Sequence, residues 1–427
     1  MIGGNKMKKI LSIFISLLLI ATCFVGCGKN EKGRVYYLNF KPEQDAAWQS
    51  LAKKYTAETG VEVKVVTAAS GTYEQTLTAE IDKKDAPTLF QISGVLALES
   101  WGDYCSDLTG TEVYKQLKSD EFALKKGAKV YGIGYVYEGY GLIVNKKLLK
   151  KAGYKIEDIK NYNDLKRIAE DITKRKKELG FSAFTSPGLD PSSSWRFSGH
   201  LANLPLFYEF KEGNITNQPA TITGSYLESF KNIWDLYKDN SVQSPNTLTA
   251  VTGDTATAEF TSEKAVFHQN GTWAYNDVKK IGEENIGFIP LYAGVSDDTQ
   301  GFAAGTENYW AVNINSSEAD RMATLDFLEW VVTSEEGTTA LAKNMGFLAP
   351  FKKAKAVDNK LSNIISDSVD AGKYNVAWVF GLTPNVDSWR SDLVSALAAY
   401  SSGTGSWDDV KNAFVEGWKK HYNTSKR

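Results

Sequence analysis

Arg34-Val35-Tyr36-Tyr37-Leu38-Asn39-Phe40 carries a single charge, at its first position, and continues as β-branched, aromatic and aliphatic residues. It reads as a buried strand. Pro42 and Asp45 then open a helix running through Tyr55 to Thr59. A second strand follows at Val61-Glu62-Val63-Lys64-Val65-Val66, and Ser70-Gly71-Thr72-Tyr73 begins a second helix. Ala86-Pro87-Thr88-Leu89-Phe90-Gln91 supplies a third strand. Strand, helix, strand, helix at this spacing predicts parallel α/β wrapping. Ligands of such sheets gather beyond the carboxyl ends of the strands, so the loops 39–41, 70–74 and 91–94 are expected on one rim.

Working outward, V-Y-G-I-G-Y-V-Y-E-G-Y-G-L-I-V-N (130–145) reads as one long strand bent at its glycines. Helical patterns dominate afterwards, at 162–179, 226–238 and 319–332, and again over 393–418 with a break at Ser401-Ser402-Gly403-Thr404-Gly405. No internal repeat or low-complexity linker interrupts them. Toward the N-terminus, Lys6, Lys8 and Lys9 precede an apolar run of about a dozen residues, too short to span a bilayer. With Gly26-Cys27 and polar residues beyond, this is expected to be a signal peptide (1–26) ending in a lipobox-like site, with Phe24 where Leu is usual. Cys27 would be lipidated, Cys23 being the alternative acceptor, and 27–33 would tether the body to the outer face of the cytoplasmic membrane, which is the cell surface in a Gram-positive envelope.

Loss of residues 1–26 removes three lysines and no acid, so the formal charge moves from −2 to −5. That balance argues against nucleic acid as a partner. The remaining ~400 residues exceed what one core serves, so two lobes are expected. Only Cys105 remains among the three cysteines, which excludes an intramolecular disulfide in the body. Aromatic residues make up 12% of the chain, and several tryptophans sit beside Gly or Asn instead of in helical stripes, a placement suited to flat ligands.

Three segments in order resemble the extracellular solute-binding proteins of carbohydrate ABC importers, the group that includes maltose-binding protein. They are A-K-K-Y-T-A-E-T-G-V-E-V (52–63), E-G-Y-G-L-I-V-N-K (138–146) and A-E-F-T-S-E-K-A-V-F-H-Q-N-G-T-W-A-Y-N-D (258–277), whose N-G-x-W-A core is the most specific. The resemblance covers nearly all of the mature chain. It implies an α/β, two-lobe periplasmic-binding-protein-like fold (type II) with crossing hinge strands, 34–138 and 311–347 forming one lobe and 139–310 and 348–427 the other. Crossings are expected near 138–146, 308–313 and 346–350, with Gly139, Gly141 and Gly346 absorbing the closure angle. It also implies a carbohydrate ligand, permease partners, no cofactor and a monomeric receptor.

A sugar offers an apolar face of C–H groups and an equator of hydroxyls, so its site needs stacked aromatics and polar side chains. Trp273, at the position that stacks on sugar in the family, is the first candidate, core packing being the alternative. Glu138, at the bend between lobes, could accept two ligand hydroxyls or be a solvated hinge residue. Asn39 and Lys41 follow the first strand where the family places polar contacts. Tyr73, Glu74, Trp195, Arg196, Glu307, Asn308 and Tyr309 occupy loops or crossings, with interlobe packing as their alternative. Trp378 and Trp389 compete for a further stacking position.

A glycoside hydrolase would need two carboxylates facing each other across a site, and the adjacent pairs Glu283-Glu284, Asp297-Asp298 and Glu335-Glu336 do not supply that. His200, His268 and His421 lack metal-ligand spacing, and Cys105 has no neighbouring histidine, so no metal or thiol chemistry is expected. His200 reads as a helix-surface residue. Polyamines, peptides or glycerol phosphate on the same fold remain the alternative ligands.

Overall fold

Side chains that alternate between two faces organise the first sheet. Val35 and Tyr37 pack with Leu89, Trp310 and Val312 on one face, whereas Leu38 packs with Phe90, Ile92 and Ala311 on the other. The computed structural model describes residues 32–425. The expected signal peptide and the lipidation site Cys27 lie outside the described residues.

Among the described residues the strands are β1 (Val35–Asn39), β2 (Val63–Thr67), β3 (Leu89–Ile92), β4 (Ala123–Lys126), β5 (Lys129–Gly134), β6 (Glu138–Asn145), β7 (Ser182–Phe184), β8 (Ala265–Gly271), β9 (Ile286–Ile289), β10 (Gln300–Gly305), β11 (Tyr309–Val312) and β12 (Tyr374–Ala377). They form two sheets. The first runs β2-β1-β3-β11-β5-β4 and the second β12-β10-β6-β8-β7, with β9 also paired to β6. β1 pairs parallel with both β2 and β3, as the alternation of strand and helix predicts.

In the first sheet, Asp45–Thr59 buries Trp48, Leu51, Ala52 and Tyr55 on one face beside Phe327, Leu328 and Val331 of Glu318–Thr333. Ser317 accepts a hydrogen bond from the Asp320 amide and caps the latter helix. Tyr73 and Leu77 of Tyr73–Glu80 cover the opposite face. In the second sheet, Tyr140, Leu142 and Val144 face a large core built with Tyr162–Lys174, Leu227–Asp239 and the C-terminal helices Val386–Ser402 and Trp407–Ser425. Ile143 faces the smaller core beneath Lys360–Asp370.

The expected single strand over 130–145 is two strands in two sheets. Val130 and Ile133 of β5 belong to the first core, and the chain passes to the second sheet between Gly134 and Glu138. Gly139 and Gly141 therefore lie inside β6 and not at the crossing. A Cβ on Gly141 would stand 2.5 Å from the Ile289 carbonyl oxygen, with the Phe288 and Phe302 rings at 3.0 and 3.1 Å. Close packing accounts for these glycines, where a hinge was expected. Gly346 does need its conformational freedom, with φ +68°.

The second passage runs from Gly305 in β10 to Tyr309 in β11, slightly earlier than expected. The third lies later than 346–350. Phe351 is still in the first core, Lys352 donates its amide to the Gln116 carbonyl, and only Leu361 joins the second-sheet core. Asn359 stands between the two, its Nδ2 donating to the Thr272 carbonyl at 2.9 Å and to the Gly346 carbonyl at 3.4 Å.

Candidate functional site

The loops after β1 and β2 meet the other half of the molecule across a cleft. The Ser70 hydroxyl donates to the Ser192 carbonyl at 3.4 Å, and a Cβ on Gly71 would lie 2.9 Å from the Pro191 oxygen. Deeper in, Lys41 and Glu138 join the two sheets. The Lys41 ammonium donates to both Glu138 carboxylate oxygens, at 2.9 and 2.8 Å, with the residues 5% and 3% exposed. Burial alone would lower the Lys41 pKa, but the carboxylates of Glu138 and Glu43 more than offset it and hold the ammonium above its usual range. Glu138 is therefore paired with a protein cation, so it is not the solvated hinge residue that was one of its two expected roles.

Trp273 begins the facing wall. β8 ends in Gly271, and the indole folds back over that glycine so closely that a Cβ there would stand 2.3 Å from ring carbons. This is the physical content of the N-G-x-W pattern. The ring stacks near Tyr140 (centroids 5.9 Å, 22°) and meets Trp195 at 5.7 Å and His200 at 5.3 Å, while the Lys41 ammonium lies 5.8 Å from its centroid. Trp273 stays partly exposed, and its buried indole nitrogen has no hydrogen-bond partner.

His200 is the centre of this wall and not a helix-surface residue. It is 2% exposed, stacks on Tyr140 at 4.5 Å, and meets Trp378 at 5.0 Å and Phe380 at 5.1 Å. Burial, with Arg390, Arg196 and Lys41 nearby, pushes its pKa well below the usual histidine range, so the ring is neutral. Periodicity could not reveal it: the segment Arg196–Leu201 is a π-helix, which breaks the 3.6-residue pattern. Tyr140, Phe380 and Arg390 also join the wall without having been singled out in the sequence. Tyr140 lay inside the E-G-Y-G-L motif, where it reads as strand.

Other expected residues divide between cleft and core. Trp195 donates its indole N–H to the Ser192 carbonyl at 3.0 Å, and the Arg196 guanidinium stacks on its ring at 4.3 Å. Trp378 is partly exposed over Gly305 and has an unpartnered indole nitrogen. Glu307 is partly exposed at the second crossing, with Asn308 buried beside it. Desolvation raises the Glu307 pKa although Arg390 and Lys41 oppose it. Glu74 accepts from the Trp101 indole at 3.0 Å, and desolvation raises its pKa too, with Asp387 adding to the effect.

Four residues are placed otherwise than expected. Trp389 is 1% exposed, packs against Phe414 and Trp418, and donates to the Phe414 carbonyl at 3.0 Å, so it belongs to the core. Tyr73 is buried against Phe40, its hydroxyl accepting the Gln91 amide at 2.6 Å. Asn39 is fully buried, its amide donating to the Lys41 carbonyl at 2.8 Å and to the Thr67 hydroxyl at 3.1 Å. Tyr309 is partly exposed and packs against the first sheet, over Gly132 and Gly134.

Two sheets joined by three passages, with an aromatic wall facing a polar rim, define a two-lobed binding fold. Residues 50–373 match the family model described as bacterial extracellular solute-binding protein, and the chain belongs to that family. It is 26% identical over 282 residues to the multiple sugar-binding protein of Streptococcus mutans serotype c, an alignment that covers 62% of this chain and 64% of that protein. The fold is similar to that of the GacH receptor of Streptomyces glaucescens GLA.O, solved unliganded and with acarbose, at TM-score 0.71 and 21% identity over 92% of this chain and 99% of that one. It is also similar to the maltose/maltodextrin-binding domain MalE of Bdellovibrio bacteriovorus bound to maltotriose, at TM-score 0.69 and 16% identity over 92% and 99%.

Proposed function

We propose that this protein is an exported receptor that captures a sugar, an oligosaccharide of a few rings, between its lobes and delivers it to an ABC permease without chemical change. The aromatic wall carries this reading. Trp273 and Trp378 present partly exposed rings, as the apolar face of a sugar requires, and their buried indole nitrogens have no acceptor within the protein. The sugars bound by the multiple sugar-binding protein, the acarbose receptor and MalE point the same way. In this reading one lobe comprises about 34–137 and 308–355 and the other the remainder. Lobe closure turns on the three passages, and Cys27 anchors the monomer by lipid to the outer face of the cytoplasmic membrane.

A thermal-shift screen over neutral and acidic mono- and oligosaccharides tests the reading. A ligand at 100 times its dissociation constant should stabilise the fold by about 2.7 kcal/mol. Small-angle scattering at saturation should give a radius of gyration that decreases, and the recovered sugar should be intact. Stabilisation by polyamines or peptides with none by any sugar would overturn the ligand class, and release of reducing ends would overturn binding without catalysis. Membrane-derived protein should carry acyl chains on Cys27, and an unmodified N-terminal cysteine would remove the anchor.

A further inference from the structure

The wall around His200 has a surplus of donors. The Trp273 and Trp378 indole nitrogens and the Nε atoms of Arg196 and Arg390 are all buried without a hydrogen-bond partner; the core indoles of Trp48 and Trp407 share that state, so what sets the wall apart is its two guanidinium groups. Two of the four unpartnered donors carry a full charge. Arg196 is 8% exposed, and its one side-chain bond is a long 3.5 Å contact to the Ser193 hydroxyl. Arg390 lies over the Phe380 ring at 5.4 Å and against Gly199, where a Cβ would stand 2.8 Å from its Nη2. Neither guanidinium forms an ion pair among the described residues, although Lys41 on the opposite rim is fully matched by Glu138.

Buried charge is ordinarily paired, and Arg196 is the buried case, whereas Arg390 is partly exposed with its Nε enclosed. Asp254 and Glu43 influence Arg196, and Glu307 influences Arg390, but none comes within ion-pair distance. The recess beside Arg196, lined by Thr185, Ser186, Ser193 and Gln269, has a volume of about 10 Å³. That is the lower limit for one water, so a buried counter-ion does not fit there. An anion has access instead on the side where Arg390 is partly exposed. Hydroxyls alone could satisfy the indoles, but a carboxylate also matches the fork and charge of a guanidinium.

We propose that the ligand is an acidic sugar, a uronate-containing oligosaccharide, whose carboxylate is received by Arg390 and Arg196 on the aromatic wall. This rests on the reading of the cleft as a sugar site and narrows it. Calorimetric titration should compare uronide and neutral oligosaccharides matched in linkage and length, with inorganic sulfate as a separate arm. The matching uronide should bind at least about tenfold tighter than its neutral counterpart and weaken as salt rises. Arg390→Gln should weaken the uronide at least about tenfold more than it weakens the matched neutral sugar. Arg390→Lys, which keeps the charge and loses the fork, should fall between and serves if the Gln variant does not fold. Equal or tighter binding of neutral sugars, or equal losses for both classes, overturns the acidic ligand and leaves the sugar reading standing. Sulfate that binds alone with the same Arg390 dependence, while no uronide does, assigns the site to a free anion and overturns the proposal. Failure of every saccharide overturns both readings.

Discussion

Trp389 and Trp273 show how little a residue type says before its surroundings are known. The first gives its N–H to the Phe414 carbonyl and is enclosed by aromatic rings, whereas the second is partly exposed and its buried N–H has no acceptor. Trp389→Ala should therefore cost about 3–5 kcal/mol of folding stability, as aromatic truncation in a core does, with affinity retained by the folded fraction. Trp273→Ala should leave the ligand-free melting temperature nearly unchanged and lower affinity by about ten- to a hundredfold. Melting and titration on both variants check the pair, and reversal of the two results would exchange their roles. From sequence, Trp273 was legible because Asn270-Gly271 marks a turn, and the glycine proves necessary for the ring's fold-back. Trp378 and Trp389 could not be separated there, since burial is decided by helices packed from elsewhere in the chain.

At the scale of the element, β6 shows where periodicity succeeds and where it fails. Its buried character was plain in the sequence, but a strand passing from one sheet to the next has the same composition as one that bends. Glycine looked like the bend. The structure gives those positions to contact instead, since Gly141 faces a neighbouring backbone oxygen that cannot turn aside as a side chain could. Gly141→Ala should overpack the second sheet and lower stability by about 1–3 kcal/mol in urea unfolding, with the scattering change on closure preserved. Lost closure at unchanged stability would restore the hinge role. The third passage falls later than expected for a related reason: Phe351 packs in the first-sheet core and the Lys352 amide bonds the Gln116 carbonyl, a tertiary docking with no local sequence signal.

For the whole molecule, the Lys41–Glu138 pair ties one sheet to the other. Each residue was visible as a polar candidate, but their pairing across 97 residues was not. Glu138→Gln leaves the buried ammonium with only the Glu43 carboxylate at 3.8 Å and should cost up to about 3–5 kcal/mol, whereas the double variant Lys41→Met with Glu138→Leu should lose much less. Denaturation of the single and double variants checks this, and equal losses would mean the charges act independently. A different consequence follows from Cys105, the one cysteine among the described residues. It is buried beside Trp101, and burial pushes its thiol up to about 12, so the folded body offers no reactive sulfur. A cysteine placed at Ser70 or Ser192, where the two halves touch, would take a dye at that single position. The meeting of the lobes would then be legible as fluorescence, making the receptor an optical gauge of its own solute.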